Sequence, residues 1–231
     1  MLFRSQMFAV PKKAYVLLNT ELDSDTYHPQ RALKAAEQAE TVVVLSAFRS
    51  DAALQYADVM LPIAPFTETS GAFINMEGRL QAFNGVVKPL GDARPAWKVL
   101  RVLGNLLGLS GFEFNSAEEV RAEWQASLGD IAARLNNGLS SLSLGSASAV
   151  TGLARVGEVP IYQADALCRR APSLQATADA KAPRASAHPG VLAAAGVQAG
   201  QEVCLKQEGH SIRIAIDADE RLPLGVVRLA A

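Results

Sequence analysis

The sequence predicts an α/β protein: a partial, doubly wound parallel sheet, then helices, then a small C-terminal β-barrel-like domain. Three observations carry this. Apolar runs at 15–18, 41–45 and 59–61 alternate with helix-patterned stretches, giving the order β-α-β-α-β. The run TVVVL at 41–45 is β-branched or apolar throughout, as a strand covered on both faces requires. After residue 190, short alternating runs are punctuated by Gly196, Gly200 and Gly209, the pattern of a small all-β unit.

Taken in order, the run YVLL at 15–18 is the first strand, and the polar stretch NTELD at 19–23 is the loop at its C-terminal end. Pro29 stands at the first turn of a helix, where its missing N–H costs nothing. Ala32, Leu33, Ala36 and Ala39 form that helix's inner face. Ser50 and Asp51 can cap a short helix reaching Tyr56, and Pro62 stops the third strand. Residues 73–83 alternate as a hairpin with Glu77-Gly78 at its turn, glycine being free to take positive φ.

Pro95 opens a helix with Trp97, Leu100, Leu103, Leu106 and Leu107 on helical spacing, ended by Gly108. Ser116 and Glu119 form a capping box for another helix, running to about Leu128. Residues 136–152 are rich in Ser, Gly and Ala with no aromatic residue, and 171–189 are rich in Ala, Pro, Ser and Thr, so they read as a connector or weak helix and a loose loop. Strands at 202–206, 211–216 and 226–229 follow a short helix at 190–195. The expected organisation is residues 1–135, a linker at 136–158, and a β-rich domain at 159–231.

With 22 Lys+Arg against 23 Asp+Glu, the chain lacks the basic excess that a phosphate backbone selects, so nucleic acid is excluded as an expected partner. No apolar run is long enough to insert directly in a bilayer. Residues 1–6 do not form a secretory signal. Cys168 and Cys204 are far apart, and the three histidines are scattered, so no metal ligand set is assigned and both thiols are expected buried and reduced.

No nucleophile-base pair, dinucleotide fingerprint or phosphate loop is present, and no catalytic residue is assigned. The candidate cofactor-binding group is Glu68, Gly71, Asn75, Glu77, Arg79 and Gln81. Arg79 can meet a phosphate or pterin edge, and Gly71 permits close backbone approach. The alternative is structural: Arg79 pairs with a carboxylate, Asn75 caps the turn, and the glycines serve the backbone.

The segments LSAFRS at 45–50, YADVMLP at 56–62, FTETSG at 66–71 and FINMEGRLQ at 73–81 together resemble the closing motif of the molybdopterin oxidoreductase superfamily. Residues 84–98, ending in ARPAWK, and 159–170, VPIYQADALCRR, resemble the G subunit of NADH-quinone oxidoreductase, respiratory complex I. Residues 192–203 and 222–227 resemble the superfamily's terminal barrel.

This resemblance implies the C-terminal part of a peripheral-arm subunit that passes electrons from NADH through iron-sulfur clusters to quinone, coupled to proton translocation. It implies other complex I subunits and the missing N-terminal part of the chain as partners. It places the chain peripherally on the cytoplasmic side of the bacterial inner membrane. The 4Fe-4S and 2Fe-2S clusters would belong to the full-length subunit, with none in these residues, and a truncated reading frame is expected. The candidate group would then be a relic. Two alternatives stand beside this: a fragment of a molybdopterin-dependent enzyme related to formate dehydrogenase or nitrate reductase, and a non-catalytic interaction module.

Overall fold

The computed structural model describes residues 4–136, 138, 145, 152–180, 183–207 and 209–230. The chain divides into two compact units, residues 1–142 and 143–231. The connector read over 136–152 lies almost wholly outside the described residues.

In the first unit, strands β1 (Ala14–Leu18), β2 (Thr41–Ser46) and β3 (Val59–Pro62) pair in parallel in the order β1-β2-β3. Helix α1 (Arg4–Ala9) precedes them, and α2 (Pro29–Glu37) crosses from β1 to β2 with Pro29 in its first turn. One sheet face meets α2. Tyr15, Leu17, Val42 and Val44 pack with Ala32, Ala35 and Ala36 into a single buried cluster. The small alanines let the helix lie close to the strands. Ala53 and Tyr56, from the β2–β3 connection, join the same cluster. The short helix expected there is one turn of 3₁₀ helix, Ala53–Gln55, and the Ser50 hydroxyl accepts the Ala53 N–H at 3.3 Å.

Leu22 also belongs to this core and is fully buried, although it sits in the loop read as polar. Its carbonyl accepts the Thr26 hydroxyl at 2.6 Å, which folds the loop back over the core.

Helix α3 (Ala96–Leu106) follows the hairpin, and α4 (Ala117–Leu128) follows α3. Only Gly104 of α3 is buried, and Leu106 is 80% exposed, so the leucine series leaves apolar surface open. Ser116 caps α4 through the Glu119 N–H at 3.1 Å, while the Glu119 carboxylate accepts from Asn115 N–H at 2.7 Å. The capping box therefore closes one residue earlier than the usual pattern. Ser116→Ala should cost about 1 kcal/mol, read as a lower urea midpoint by tryptophan fluorescence. Both tryptophans, Trp97 and Trp124, lie in this unit.

The second unit is a five-stranded mixed sheet in the order β6-β10-β7-β9-β8. Its strands are β6 (Ala154–Glu158), β7 (Ala185–Ala187), β8 (Glu202–Gln207), β9 (His210–Ala218) and β10 (Val226–Ala230). Among the described residues the sheet stays open, so the barrel-like expectation becomes a sheet with β6 and β8 at its edges. Helices α5 (Ala166–Arg169), α6 (Pro172–Gln175) and α7 (Pro189–Ala194) complete the unit.

Two strands depart from the sequence reading. β6 lies at the end of the segment taken as linker. β7, inside the segment taken as a loose loop, is the central strand, with Ala185 and Ala187 fully buried beside Leu192, Ile214, Ile216 and Val227. A three-residue strand of Ala and Ser carries almost no β-propensity signal. Its small side chains suit the crowded middle of the sheet.

Charge sits at this unit's surface. Arg184 and Asp217 pair through two hydrogen bonds, 2.5 and 2.6 Å. The Arg221 side chain and N–H hold the Asp219 carboxyl below the usual carboxylate range, at about 2. The folded form thus binds fewer protons than the unfolded chain between that value and the ordinary range. The stabilisation is complete above the ordinary range and is lost as pH falls toward 2. Asp219→Asn should therefore lower the melting temperature at neutral pH, with the gap to wild type closing in acid, as followed by circular dichroism.

Candidate functional site

The candidate group lies on the loop after β3 and on an antiparallel hairpin of β4 (Gly71–Ile74) and β5 (Leu80–Phe83). The turn is built by Asn75. Its side-chain oxygen accepts the N–H groups of Glu77 and Arg79 at 3.1 and 2.9 Å, and its carbonyl accepts from Gly78. Gly78 adopts φ +77° and packs against Leu135 and Ile131, and that backbone conformation is what makes glycine the fitting residue here.

The register pairs Gly71 with Phe83 and Phe73 with Gln81. Alternation then puts Phe73, Gln81, Phe83 and Arg79 on one face of the hairpin, and Ala72, Ile74, Leu80 and Ala82 on the other. Phe73 and Phe83 stack with centroids 5.2 Å apart. A Cβ on Gly71 would stand 2.8 Å from the Phe83 ring, so Gly71 gives that ring its place.

Glu68 has a different task. Its carboxylate accepts the Leu90 N–H at 3.0 Å, and Thr67 accepts Val86 N–H at 2.8 Å through its carbonyl. These bonds clamp the loop after β3 onto the segment leaving the hairpin. Gly85 makes the clamp possible, since a Cβ there would meet the Thr69 backbone at 2.9 Å. The loop is therefore closed on its own chain, with its acidic group engaged.

Glu77, Arg79 and Gln81 are exposed. Among the described residues the Arg79 guanidinium has no carboxylate partner, contrary to the ion pair expected in the structural alternative. Phe73 is 65% exposed beside them. The structure thus separates the six candidates. Glu68, Gly71 and Asn75 build the local fold, while Glu77, Arg79 and Gln81 present polar groups outward. Phe73 was missed because hairpin alternation alone does not tell which aromatic faces outward.

Cys168 is half-buried, and its hydrogen bond with Asp165 pushes the thiol pKa up, away from the nucleophilic thiolate. Cys204 is exposed on β8, against the expectation of burial. Among the described residues no cluster of His, Cys, Asp and Glu could hold a metal, and no helix is long and apolar enough to cross a membrane.

Residues 3–106 match the family model described as molybdopterin oxidoreductase. The F420-dependent formate dehydrogenase 1 subunit alpha of Methanococcus maripaludis is 38% identical over 102 residues, which are 44% of this chain and 14% of that protein. A Staphylococcus aureus USA300 protein named as a formate dehydrogenase is 40% identical over 81 residues, 35% of this chain and 8% of its own length. Among solved structures, acetylene hydratase from Pelobacter acetylenicus matches with a TM-score of 0.70 and 18% identity, over 98% of this chain and 39% of its own. That likeness concerns the fold. The matches span 14% or less of these curated relatives.

A pterin cofactor is a planar heterocycle carrying phosphate. The outward hairpin face offers a guanidinium, a side-chain amide and a stacked aromatic pair, and this donor set fits one edge of such a group.

Proposed function

We propose that the chain is part of a molybdopterin-dependent oxidoreductase of the formate dehydrogenase kind, since residues 3–106 match the molybdopterin oxidoreductase family model. The observation that carries this reading is the 38–40% identity to proteins named as formate dehydrogenases. In this reading Arg79 binds phosphate, Gln81 hydrogen-bonds the heterocycle's edge, and Phe73 shields it from water. The bound cofactor supplies two-electron redox chemistry. The remaining residues of the hairpin hold those three side chains in place.

A second reading is favoured by residues 84–98 and 159–170, which resemble the G subunit of NADH-quinone oxidoreductase. There the same domain is scaffold, the iron-sulfur clusters lie in other residues, and the partners are complex I subunits at the cytoplasmic side of the bacterial inner membrane.

One assay separates the two. The protein carrying this sequence is purified from its source and tested for formate-dependent and NADH-dependent dye reduction. Formate turnover is expected, reduced about tenfold or more by Arg79→Ala through the lost charge-assisted bond. NADH-dependent quinone reduction without formate turnover would replace the first reading with the second.

A further inference from the structure

Helix α4 turns one stripe toward the hairpin. Ala117, Val120, Arg121 and Trp124 recur at helical spacing and share one face of the helix. All four line a cavity of about 290 Å³, together with the first residues of β4 and with Trp97 from the first turn of α3. Both tryptophans of the chain therefore border the same space. Its volume stands at the lower end of ligand sites, sized for a small molecule of about one or two rings.

Arg121 is the anomaly in this stripe. Ala117, Val120 and Trp124 around it are apolar, and the arginine is half-buried. Among the described residues no carboxylate pairs with it and no carbonyl accepts from it. Arg101, half-buried on α3, shows the usual arrangement, donating to the Phe114 carbonyl at 2.8 Å. A guanidinium is a planar fork of donors matched to a carboxylate, and holding it partly out of water with none of those bonds made is costly. Lys98 adds positive charge nearby, its ammonium 5.4 Å from the Trp97 ring centroid. Glu118, the acid on the lining, is exposed. The two indoles supply flat apolar area on which a planar ring stacks.

We propose that this cavity is a binding site for a planar aromatic carboxylate. Its ring lies against Trp97 and Trp124, and its carboxylate accepts from Arg121. The site is separate from the hairpin face already described, since Phe73, Arg79 and Gln81 do not line it. It stands whether or not the protein turns over formate.

Fluorine NMR of the 231-residue chain carrying 5-fluorotryptophan tests this, because each tryptophan gives one resonance. Trp97→Phe and Trp124→Phe assign the two. The probe is 2-naphthoate, and 2-naphthamide is its neutral isostere. Both resonances should move with 2-naphthoate along one binding curve. The amide should bind about tenfold or more weakly, the worth of a charge-assisted bond. Arg121→Gln should bring acid and amide to the same affinity. In the protein purified from its source, photolysis of 4-azidobenzoate should label peptides of α3 or α4, and excess 2-naphthoate should suppress that labelling.

No shift at millimolar 2-naphthoate would overturn the proposal. So would movement of a single resonance, which would put the probe outside the shared cavity. Equal affinity of acid and amide for the unaltered chain would overturn the carboxylate class and the role of Arg121 without any variant. Source protein with no suppressible labelling on α3 and α4 would mean that other residues fill the cavity there, and the site would be lost.

Discussion

Replacing Leu22 with alanine lowers the unfolding free energy of the N-terminal unit by about 2–5 kcal/mol, the cost of a lost buried side chain plus the cavity left behind. Leu22 is fully buried and shares a cluster with Tyr15, Leu17, Val42, Val44 and Tyr56. It is also the only apolar residue between Asn19 and Asp25, so no neighbour can move in to replace it. The surrounding loop is held by short polar bonds, among them Glu21 N–H to the Asp25 carboxylate at 2.8 Å. Such a loop relaxes little, which puts the expected cost in the upper part of the range. Urea unfolding followed by tryptophan fluorescence checks it, because both tryptophans report on this unit alone. A change below about 0.5 kcal/mol, the range of an ordinary surface substitution, would mean that Leu22 does not anchor the strand-end loop.

Gly104→Ala destabilises the same unit by about 1–3 kcal/mol, although alanine is the better helix former by about 1 kcal/mol. Gly104 is in the interior of α3, and a Cβ there would overlap the Phe112 ring at Cγ and Cδ1. Those atoms lie next to the Phe112 backbone and cannot swing away as the end of a long side chain would. The Phe112 segment is also tied down, since Arg101 donates to the Phe114 carbonyl at 2.8 Å. The steric cost therefore exceeds the propensity gain. Adding Phe112→Ala should recover part of the loss, so the double variant would be less destabilised than the sum of the single ones. Strict additivity would mean that the ring does not press on the helix.

The contrast between these residues and the rest of the fold shows what the chain discloses to a reader of sequence. β1, β2, β3 and the hairpin were legible because continuous apolar runs and a Glu-Gly turn leave strong periodic signals. α4 was legible from its capping box. Leu22 was hidden because one apolar residue among polar ones has no periodicity, and only the three-dimensional return of the loop makes it core. β7 was hidden for the opposite reason. Its Ala-Ser-Ala is compositionally like a linker, and its place is set by the neighbouring strands β9 and β10.

The candidate site was legible as a segment and illegible as an arrangement. The motif residues 66–81 stood out together. Their division into a clamp, a turn cap and an outward polar face depends on hydrogen-bond partners such as Leu90, far along the chain from Glu68. Arg79 illustrates the difference: sequence offered either a carboxylate partner or a phosphate, and the structure leaves its guanidinium pointing outward beside Gln81 and Phe73.

Molybdenum and pterin content of the protein purified from its source tests the central claim most directly. We predict close to one molybdenum per polypeptide, with the fluorescent oxidised pterin released on denaturation in matching amount. Arg79→Ala should lower both together. Iron and labile sulfide without molybdenum or pterin, unchanged by Arg79→Ala, would contradict a molybdopterin-dependent enzyme and leave this domain as the scaffold of an electron-transfer subunit.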